Sequence, residues 1–567
     1  MSNSLAGGLD AVKPFLRTKT LKGNSYYYLV EPVKEGGRWR QRQTYLGTPQ
    51  AIKAKLAQAP GPLQVSWRSF GDVAALFHVA QELNLARLID CQLPVHRASL
   101  PVGQLLVLAA INRCCAPTSK AGIACWYRKT VLPEVMGLAA DRLTSQAFWE
   151  AMDGLSEAAI ARIEEALWQQ LSQHYQLPLD VLLYDTTNFF TFLQEQTASD
   201  LAHRGHNKAG RDNLRQVGLA LAVTRQLGLP LLHKVYCGST HDAKLFPQII
   251  PPLIERWLRL SRGAGRITLV FDKGNNSQAN IQLLQARPEV SFIGSLVPSQ
   301  HEDLLRVDLS AYQDLPLAAE SGAEEALKAY RTHKEVFGAR RTVVVTYNGA
   351  RYRKQLYTQW RRLEKAKAAL EEVNWARVKQ PARKVQLLLA KYRVQGLLKV
   401  TLPQKPHHQV RSRKEWYRIY RQRRLFFGKT ILFTDRDDLS TDELVSSYRG
   451  KNAVEDCFKR MHDRTSMSFT PMYHWTDQKI RVHAFICVVG LLLLRLLECR
   501  AAKDPKTRMS IPALLEELSD IKEAILLQRD MRTLPMISHC SSVQKKLAST
   551  YGLEQVAKRL GIKHPFS

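Results

Sequence analysis

Three acidic residues stand where an open sheet could assemble a metal-dependent active site. Asp185 follows the apolar run VLLY, Asp272 follows ITLVF, and Glu455 lies in a predicted helix that begins after Ser440. Aspartates at the ends of neighbouring buried strands face a common crevice, where open sheets usually carry their sites. Three carboxylates would hold two divalent ions roughly 4 Å apart, which is the arrangement that cleaves phosphodiester bonds.

In that arrangement Asp185 would bridge both ions, and Asp272 and Glu455 would each complete the shell of one. Hard oxygen ligands suit Mg²⁺, so we expect two Mg²⁺ ions, with Mn²⁺ able to substitute. The sequence has no Cys/His set with metal-ligand spacing and no GxxxxGK[ST] loop of an ATPase. Each aspartate could instead satisfy the amides of a turn. The joint pattern of strands, acids and helix favours the catalytic interpretation.

The predicted helix around Glu455 carries other polar groups on the same face. Tyr448, Lys451, Glu455 and His462 lie at offsets of 0, 3, 7 and 14, so all four project in one direction. A face with so many polar or charged members does not belong to a core. It suits a helix that grips a phosphate beside a metal ligand, and the alternative is a solvated helix face.

The elements that must position these residues change from helical to strand-rich near residue 179. Apolar strands are predicted at 181–190, 217–224, 229–236, 267–274 and 291–296. Helices alternate with strands only after the third strand, which indicates three antiparallel strands followed by parallel ones. The predicted class is therefore α/β, with an RNase H-like mixed sheet flanked by helices. After an interruption, LFFGKTILFTD returns to a strand, and Ser440 with Glu443 forms a capping box.

The charge of the chain is concentrated in its middle. Lys and Arg number 82 against 51 Asp and Glu, a net charge of +31. Residues 331–430 hold 27 bases and 5 acids, interleaved with aromatic residues. A solvated helix face is the alternative, but five acids cannot neutralise this excess by local pairing. A phosphate backbone is the expected counter-charge.

Other features narrow the class of protein. The longest apolar run, 484–494, has eleven residues, whereas a bilayer span needs about 20. The N-terminus lacks the apolar core of a signal peptide, so we expect an intracellular protein without membrane contact. Nine cysteines with no CxxC motif are expected to be buried thiols and not disulfides.

The combined motif resembles that of the DDE transposases of bacterial insertion sequences. The similarity is to the broad IS-four superfamily, whose last motif reads Y-(2)-R-(3)-E-(6)-K, and its subgroup numbered sixteen-thirty-four is nearest. It covers about residues 180 to 500 and rests on the segments 184–187 (YDTT), 238–242 (GSTHD), 271–275 (FDKGN), 448–462 and 471–485. Lys451 stands where the family has arginine, so the positive charge is kept but the planar fork of the guanidinium is absent. His462 stands where the family has lysine, a charge that Lys459 or Arg460 could supply.

The resemblance implies a protein that binds terminal inverted repeats, cuts the element ends and joins the 3′-OH ends to target DNA. It makes Asp185, Asp272 and Glu455 the metal-binding triad. It also implies double-stranded DNA as partner, a homodimer in the DNA complex, and a bacterial cytoplasmic, nucleoid-associated location. The residues predicted to contact DNA are Tyr448, Arg449, Lys451, Lys459, His462, Arg411, Arg413, Arg421, Arg423 and Arg424. Trp360 or Trp416 is a candidate for stacking on an unpaired base.

The domain organisation follows from these patterns. We predict a β-hairpin region (1–60) around Gly36-Gly37, a helical DNA-end-binding region (61–178), a catalytic core in two parts (179–300 and 431–503), a basic α+β insertion (301–430) and a helical C-terminal region (504–567). The hairpin arginines Arg38, Arg40 and Arg42 would contact element ends, although a dimerisation or structural role fits this region equally well.

Two other functions stay open. A non-mobile RNase H-like nuclease would use the same metal chemistry and leave cut DNA without joining it. A catalytically inactive repressor derived from a transposase would bind DNA only.

Overall fold

The computed structural model describes residues 15–21, 24–35, 38–58, 64–93, 100–175, 177, 179–194, 196–205, 211, 213–261, 265–315, 327–402, 411–527 and 533–566. The predicted turn at Gly36-Gly37 lies outside these residues, as do the side chains of Arg38, Arg40 and Arg411.

Within the described residues, the strands, numbered along the chain, fall into four sheets. Their bounds are β1 Phe15–Leu21, β2 Asn24–Glu35, β3 Arg38–Gly47, β4 Gln64–Ser69, β5 Val181–Phe190, β6 Gln216–Thr224, β7 Pro230–Cys237, β8 Ile267–Val270, β9 Val290–Ser295, β10 Gln313–Leu315, β11 Leu327–Val336, β12 Ala339–Asn348, β13 Leu398–Thr401, β14 Arg411–Lys414, β15 Lys429–Thr434, β16 Lys522–Leu527 and β17 Thr533–Ile537.

The helices flank these sheets. Their bounds are α1 Pro49–Gln58, α2 Gly71–Glu82, α3 Leu85–Asp90, α4 Val102–Cys115, α5 Ile123–Tyr127, α6 Leu132–Met136, α7 Ser145–Asp153, α8 Glu157–His174, α9 Asp242–Leu260, α10 Gln278–Gln285, α11 Glu302–Leu305, α12 Gly349–Glu371, α13 Pro381–Lys391, α14 Trp416–Phe426, α15 Thr441–Arg449, α16 Asn452–His462, α17 Asp477–Ala501, α18 Ile511–Ser519, α19 Ser542–Thr550 and α20 Leu553–Arg559.

The central sheet has nine strands in the order β10-β11-β12-β15-β9-β8-β5-β6-β7. Strands β5, β6 and β7 pair antiparallel, whereas β8 and β9 add to β5 in parallel. The prediction of a mixed sheet flanked by helices is confirmed. Its first five strands lie in the order third, second, first, fourth, fifth, which is consistent with an RNase H-like core. This order puts the end of β8 beside the first half of β5, where Val270 pairs with Leu183, two residues before Asp185.

The sheet continues into the region predicted as an insertion. Strand β15 pairs antiparallel with both β9 and β12, and β11 and β10 follow at the edge. Val343, Val344 and Val345 of β12 are fully buried, so β12 is a core strand. Charged residues on either side of these valines made the strand difficult to predict from the sequence. The separate part is shorter than 301–430 and comprises residues 349–428, which we call the basic unit. Its small apolar cores, such as that around Leu363 and Ile419, lie apart from the main core.

Both chain ends differ from their predicted organisation. In the N-terminal region the two strands of the predicted hairpin are present as the antiparallel pair β2 and β3, and β1 adds a third strand that was not predicted. Strand β4 pairs with β16, which pairs with β17, so the helical N-terminal region and the C-terminal region share a sheet. Arg68 and Glu523 join these two strands at 2.7 Å. A pairing between segments about 450 residues apart leaves no local pattern in the sequence.

Helix α17 forms the centre of the helical region and extends well beyond the eleven-residue apolar run. With 25 residues it is long and apolar enough to cross a membrane by length and composition, but 94% of its most apolar window is buried inside the protein. It packs against α4, α2 and β7. This burial is that of a core helix.

The cysteines are free thiols, as predicted, but they are less uniformly buried. Cys114, Cys457, Cys487 and Cys540 are buried, whereas Cys91 and Cys125 are exposed. Small side chains tolerate either environment, so burial of the last two was not fixed by residue type.

Candidate active site

Strand β5 carries Asp185 at the point where its side chains leave the core. Residues 181–184 are buried and Asp185 is half-buried. The pKa of Asp185 is raised to about 6, chiefly by burial and also by the nearby carboxylates of Asp272 and Glu455, whereas Lys451 and the Thr186 amide lower it. The three predicted acids therefore share one electrostatic environment, although they come from three separate elements.

Asp272 follows β8 and caps the short turn Lys273–Asn275. Its Oδ1 accepts hydrogen bonds from the Lys273 amide at 2.8 Å and from Ser295 Oγ at 2.9 Å. Burial alone would raise the pKa of Asp272, but Lys451 and these donors outweigh it and hold the pKa below its usual range. The residue is thus both a turn residue and a member of the acid cluster, the two roles that the sequence left open.

The helix predicted after Ser440 is two helices. Ser440 and Glu443 form the predicted capping box at the start of α15. The chain then turns at Gly450 and Lys451 before α16 begins. Tyr448 and Lys451 nevertheless reach the same place, since Tyr448 Oη lies 3.4 Å from Asp272 Oδ1. A single glycine within a helical pattern does not announce such a break.

Lys451 is the cation of the site. Its Nζ lies 3.1 Å from Asp272 Oδ2 and 3.1 Å from Glu455 Oε1, and only 9% of its side chain is exposed. Burial would lower the pKa of Lys451, but Asp185, Asp272 and Tyr448 raise it above its usual value. The ammonium is therefore the counter-charge that allows three carboxylates to lie together.

A divalent metal suits the chemistry of these donors, because carboxylate oxygens are the ligands that Mg²⁺ prefers. The positions of the carboxylates in the structure, however, do not by themselves form a metal site. Within the residues that the structure describes, no three His, Cys, Asp or Glu side chains are close enough together to share a metal ion. The carboxylates are spaced around the Lys451 ammonium, and coordination of an ion would require this side chain to withdraw.

A cavity of about 460 Å³ opens beside the acids and reaches the start of the basic unit. Asp272, Tyr448 and Glu455 line one part of it. Its cationic lining residues are Lys273, Arg351, Lys429, Arg449 and Lys451. A cavity lined by both carboxylates and cations matches a phosphate group that approaches a metal-binding site.

Two of the cavity's cations were missed by sequence analysis. Arg351 begins α12 and donates to Thr430 Oγ1 at 2.7 Å, and Lys429 begins β15 and donates to the Leu305 carbonyl at 2.6 Å. Both lie where the basic unit joins the sheet. Their positions depend on the pairing of β12 with β15, which the charge pattern did not reveal.

The C-terminal end of α16 packs against the end of β5. The His462 ring stacks on Phe189 with centroids 4.3 Å apart, and its Nε2 lies 3.3 Å from the Asn188 carbonyl. Lys459 is exposed between Glu455 and His462. Helix α16 therefore runs along β5 from the acid cluster toward the strand's end.

The predicted DNA-contacting arginines of the basic unit fall into two groups. Arg421 forms an ion pair with Glu302 at 2.5 Å, and Arg423 donates to Gln359 Oε1 at 2.8 Å. These two already have partners within the protein. Arg413 and Arg424 are exposed.

The exposed aromatics include Trp360 and Trp416, the two candidates for base stacking, at 51% and 62% exposure. Trp416 lies beside the Lys414 ammonium, 5.7 Å from its ring centroid. The structure brings neither ring into the acid cluster.

Comparisons with known proteins give distant similarities only. No family model and no curated protein matches the chain. A solved synaptic complex of piggyBac transposase with hairpin DNA is similar with a TM-score of 0.34 and 9% identity, covering 81% of this chain and 82% of that chain. A paired-end complex of Mos1 transposase with the left transposon end has a TM-score of 0.15 and 13% identity, covering 33% and 62%. Similarities this low leave the function to be inferred from the site itself.

Proposed function

We propose that this protein is a DDE transposase of an insertion sequence. It binds the terminal inverted repeats, cleaves the DNA ends by divalent-metal-dependent hydrolysis and joins the 3′-OH ends to target DNA. The observation that carries the proposal is the meeting of Asp185, Asp272 and Glu455 around Lys451, beside a cavity that several further cations line.

Asp185, Asp272 and Glu455 would hold two Mg²⁺ ions, with Mn²⁺ able to substitute. When bound there, the ions would supply Lewis-acid stabilisation of charge on the transferring phosphate. Lys451 keeps the carboxylates together before then, and it withdraws to bind a phosphate oxygen of the DNA. Burial raises the pKa of Tyr448 to about 12, so its hydroxyl stays protonated and donates a hydrogen bond throughout the usual pH range.

The basic unit would bind the transposon end. Residues 349–428 contain 22 Lys or Arg against 4 Asp or Glu, so most of the charge has no partner within the unit. Arg351 and Arg449 extend this positive surface to the cavity, where Arg449 is exposed. We expect a homodimer on DNA, with one protomer for each end of the element.

The test uses a donor plasmid that carries the DNA flanking the gene and a separate target plasmid, incubated with the purified protein and Mg²⁺ or EDTA. We expect joined products that depend on Mg²⁺ and are absent with Glu455→Gln, which retains DNA binding. Cutting without joining would support a non-mobile nuclease instead. Binding without cutting by the wild-type protein would support an inactive repressor.

A further inference from the structure

A second feature of the surface lies outside the basic unit. Phe192, Tyr473 and Trp475, which we call the aromatic surface, are 51%, 60% and 56% exposed. Phe192 and Tyr473 have ring centroids 6.4 Å apart, and Trp475 packs on Trp149 at 4.7 Å. Several large exposed aromatic rings in one place mark a binding surface for another molecule.

The aromatic surface follows the C-terminal end of β5, beyond Asp185. Along the strand, Asp185 is followed by Phe189, whose ring packs between those of His462 and Phe469 at 4.3 Å and 4.1 Å. Phe192 follows three residues later. At about 3.3 Å per residue, the seven residues from Asp185 to Phe192 span at most roughly 23 Å. A strand of DNA held at the acids would therefore reach these rings within a few nucleotides.

The segment that displays the rings is held firmly. Asp477 accepts hydrogen bonds from Ser199 Oγ at 2.6 Å and from the Asp200 amide at 2.9 Å. Gln478 donates to the carbonyls of Met152 and Leu155 at 2.6 Å and 2.8 Å. The rings are thus presented on a fixed frame, which lowers the entropic cost of binding a ligand.

A buried group of titratable side chains lies beneath the aromatic surface. His474, between the two exposed rings in the sequence, is buried together with Arg113, Lys120 and His483. Burial lowers the pKa of His474 to about 3 and that of His483 well below its usual value, so both rings are neutral at neutral pH. Burial also lowers the pKa of Lys120 to about 7, and Lys479 nearby forms an ion pair with Asp153. Binding at this surface would therefore depend on ring stacking and not on local positive charge.

We propose that Phe192, Tyr473 and Trp475 stack against unpaired bases of the DNA strand that extends from the acid cluster along the C-terminal half of β5. The proposal rests on the proposed function and adds a second DNA-contacting surface to it. Aromatic rings stack on any base, because every base has a π-face. The expected ligand is single-stranded DNA adjoining the cleavage point.

The test measures binding by the full-length protein in EDTA, so that no cleavage occurs. Two labelled probes are compared: a blunt duplex copied from the DNA flanking the gene, and the same duplex with a short single-stranded tail. We expect Trp475→Ala to weaken binding of the tailed probe by roughly 5- to 100-fold and that of the blunt probe hardly at all. Trp475→Phe should restore most of the loss, because phenylalanine also stacks.

A matched control is Trp67→Ala, which removes an equally exposed tryptophan, 57% against 56%, from β4. It should not lower affinity for the tailed probe selectively. A fluorescent adenine analogue in the tail reports stacking directly, and its quenching should be lost in Trp475→Ala only.

The proposal would be overturned if Trp475→Ala weakened binding of both probes equally, or if it left the fluorescence quenching of the tail unchanged. A change in oligomeric state of Trp475→Ala without DNA, measured by light scattering, would also overturn it and assign the surface to a second copy of the chain. If the wild-type protein binds the tailed probe more tightly than the blunt probe but never cuts or joins DNA, the aromatic surface is supported as a binding site and the proposed function is rejected.

Discussion

At the scale of single residues, Lys451 explains how three carboxylates lie together before any metal arrives. It contacts Asp272 and Glu455 at 3.1 Å each, and it is the cation that acts on Asp185. An ammonium is a compact point charge on a flexible stem, so it can exchange one anionic partner for another more readily than a guanidinium with its rigid fork. This property is what the proposed displacement by metal ions requires.

Replacing this lysine should expose the repulsion that it suppresses. We expect Lys451→Met to lower the free energy of unfolding of the metal-free protein by about 1–2 kcal/mol, because a buried charge pair loses one partner while the other partner is still partly hydrated. Urea unfolding in EDTA measures this change. Mn²⁺ should then stabilise the variant at lower concentrations than the wild type, because no ammonium competes with it.

The control for Lys451→Met is Lys459→Met, which removes an exposed lysine from α16, the helix that Lys451 precedes. Its stability should match the wild type within error. Equal effects of the two substitutions would contradict a specific role for Lys451.

Asp185 should destabilise the metal-free protein once it ionises. Its folded-state pKa, raised by burial to about 6, exceeds the ordinary value near 4, so its contribution to stability is present below about pH 4 and is lost as the pH rises to about 6. Asp185→Asn has no carboxyl group to ionise, so its stability does not fall over this pH range for that reason. At neutral pH we expect the variant to be more stable than the wild type by about 1–3 kcal/mol, while it gains nothing from Mn²⁺.

Thermal unfolding between pH 4 and 8 in EDTA, with and without added Mn²⁺, measures both effects. Parallel pH profiles for the wild type and Asp185→Asn would show that the aspartate ionises without penalty.

At the scale of elements, the sequence predicted the structure best where one residue pattern decides the outcome. The apolar runs of β5 to β9 made these strands and the position of Asp272 after β8 predictable, although Asp185 lies in the middle of β5 and not at its end. The break between α15 and α16 was not, because helical spacing continues across Gly450. Strands β11 and β12 were missed since charged residues surround the buried Val343 to Val345. The pairing of β4 with β16 depends on distant segments that no local pattern connects.

The two groups of arginines in the basic unit should behave differently. Replacing both Arg413 and Arg424 with Gln should weaken DNA binding and reduce the slope of log affinity against log salt by about two, roughly one unit for each phosphate contact. Replacing Arg421 and Arg423 should reduce stability as well, because their contacts with Glu302 and Gln359 are lost. Titrations at several salt concentrations, together with thermal unfolding, separate the two groups. An unchanged slope for the first pair would exclude these side chains from DNA contact.

At the scale of the whole molecule, the basic unit is an insertion between two paired strands of the core sheet. Tyr347 of β12 lies opposite Lys429 of β15, and the Asn348 amide donates to the Gly428 carbonyl at 2.9 Å. Gly428 has a φ of +73°, and a Cβ there would lie 2.8 Å from the Asn348 carbonyl oxygen, so only glycine suits the point of re-entry. The two ends of the unit are therefore close enough for a short turn to join them.

Replacing residues 350–427 with a short glycine-containing turn should leave a folded core. The apolar clusters of the unit lie apart from the main core, so the core keeps most of its buried surface. The shortened protein should unfold cooperatively and retain the stabilisation by Mn²⁺, but it should lose most of its affinity for duplex DNA. Circular dichroism and binding titrations measure these properties. A shortened protein that binds DNA as tightly as the full chain would contradict the role given to the basic unit.

The central claim is that Asp185, Asp272 and Glu455 bind divalent ions once Lys451 withdraws to the DNA. The most direct test is the number of Mn²⁺ ions bound tightly per protomer, measured by electron paramagnetic resonance with duplex DNA present. We predict two ions for the wild type, at most one for Glu455→Gln and none for Asp185→Asn, which lacks the bridging carboxylate. The same number of tightly bound ions in all three proteins would contradict the claim.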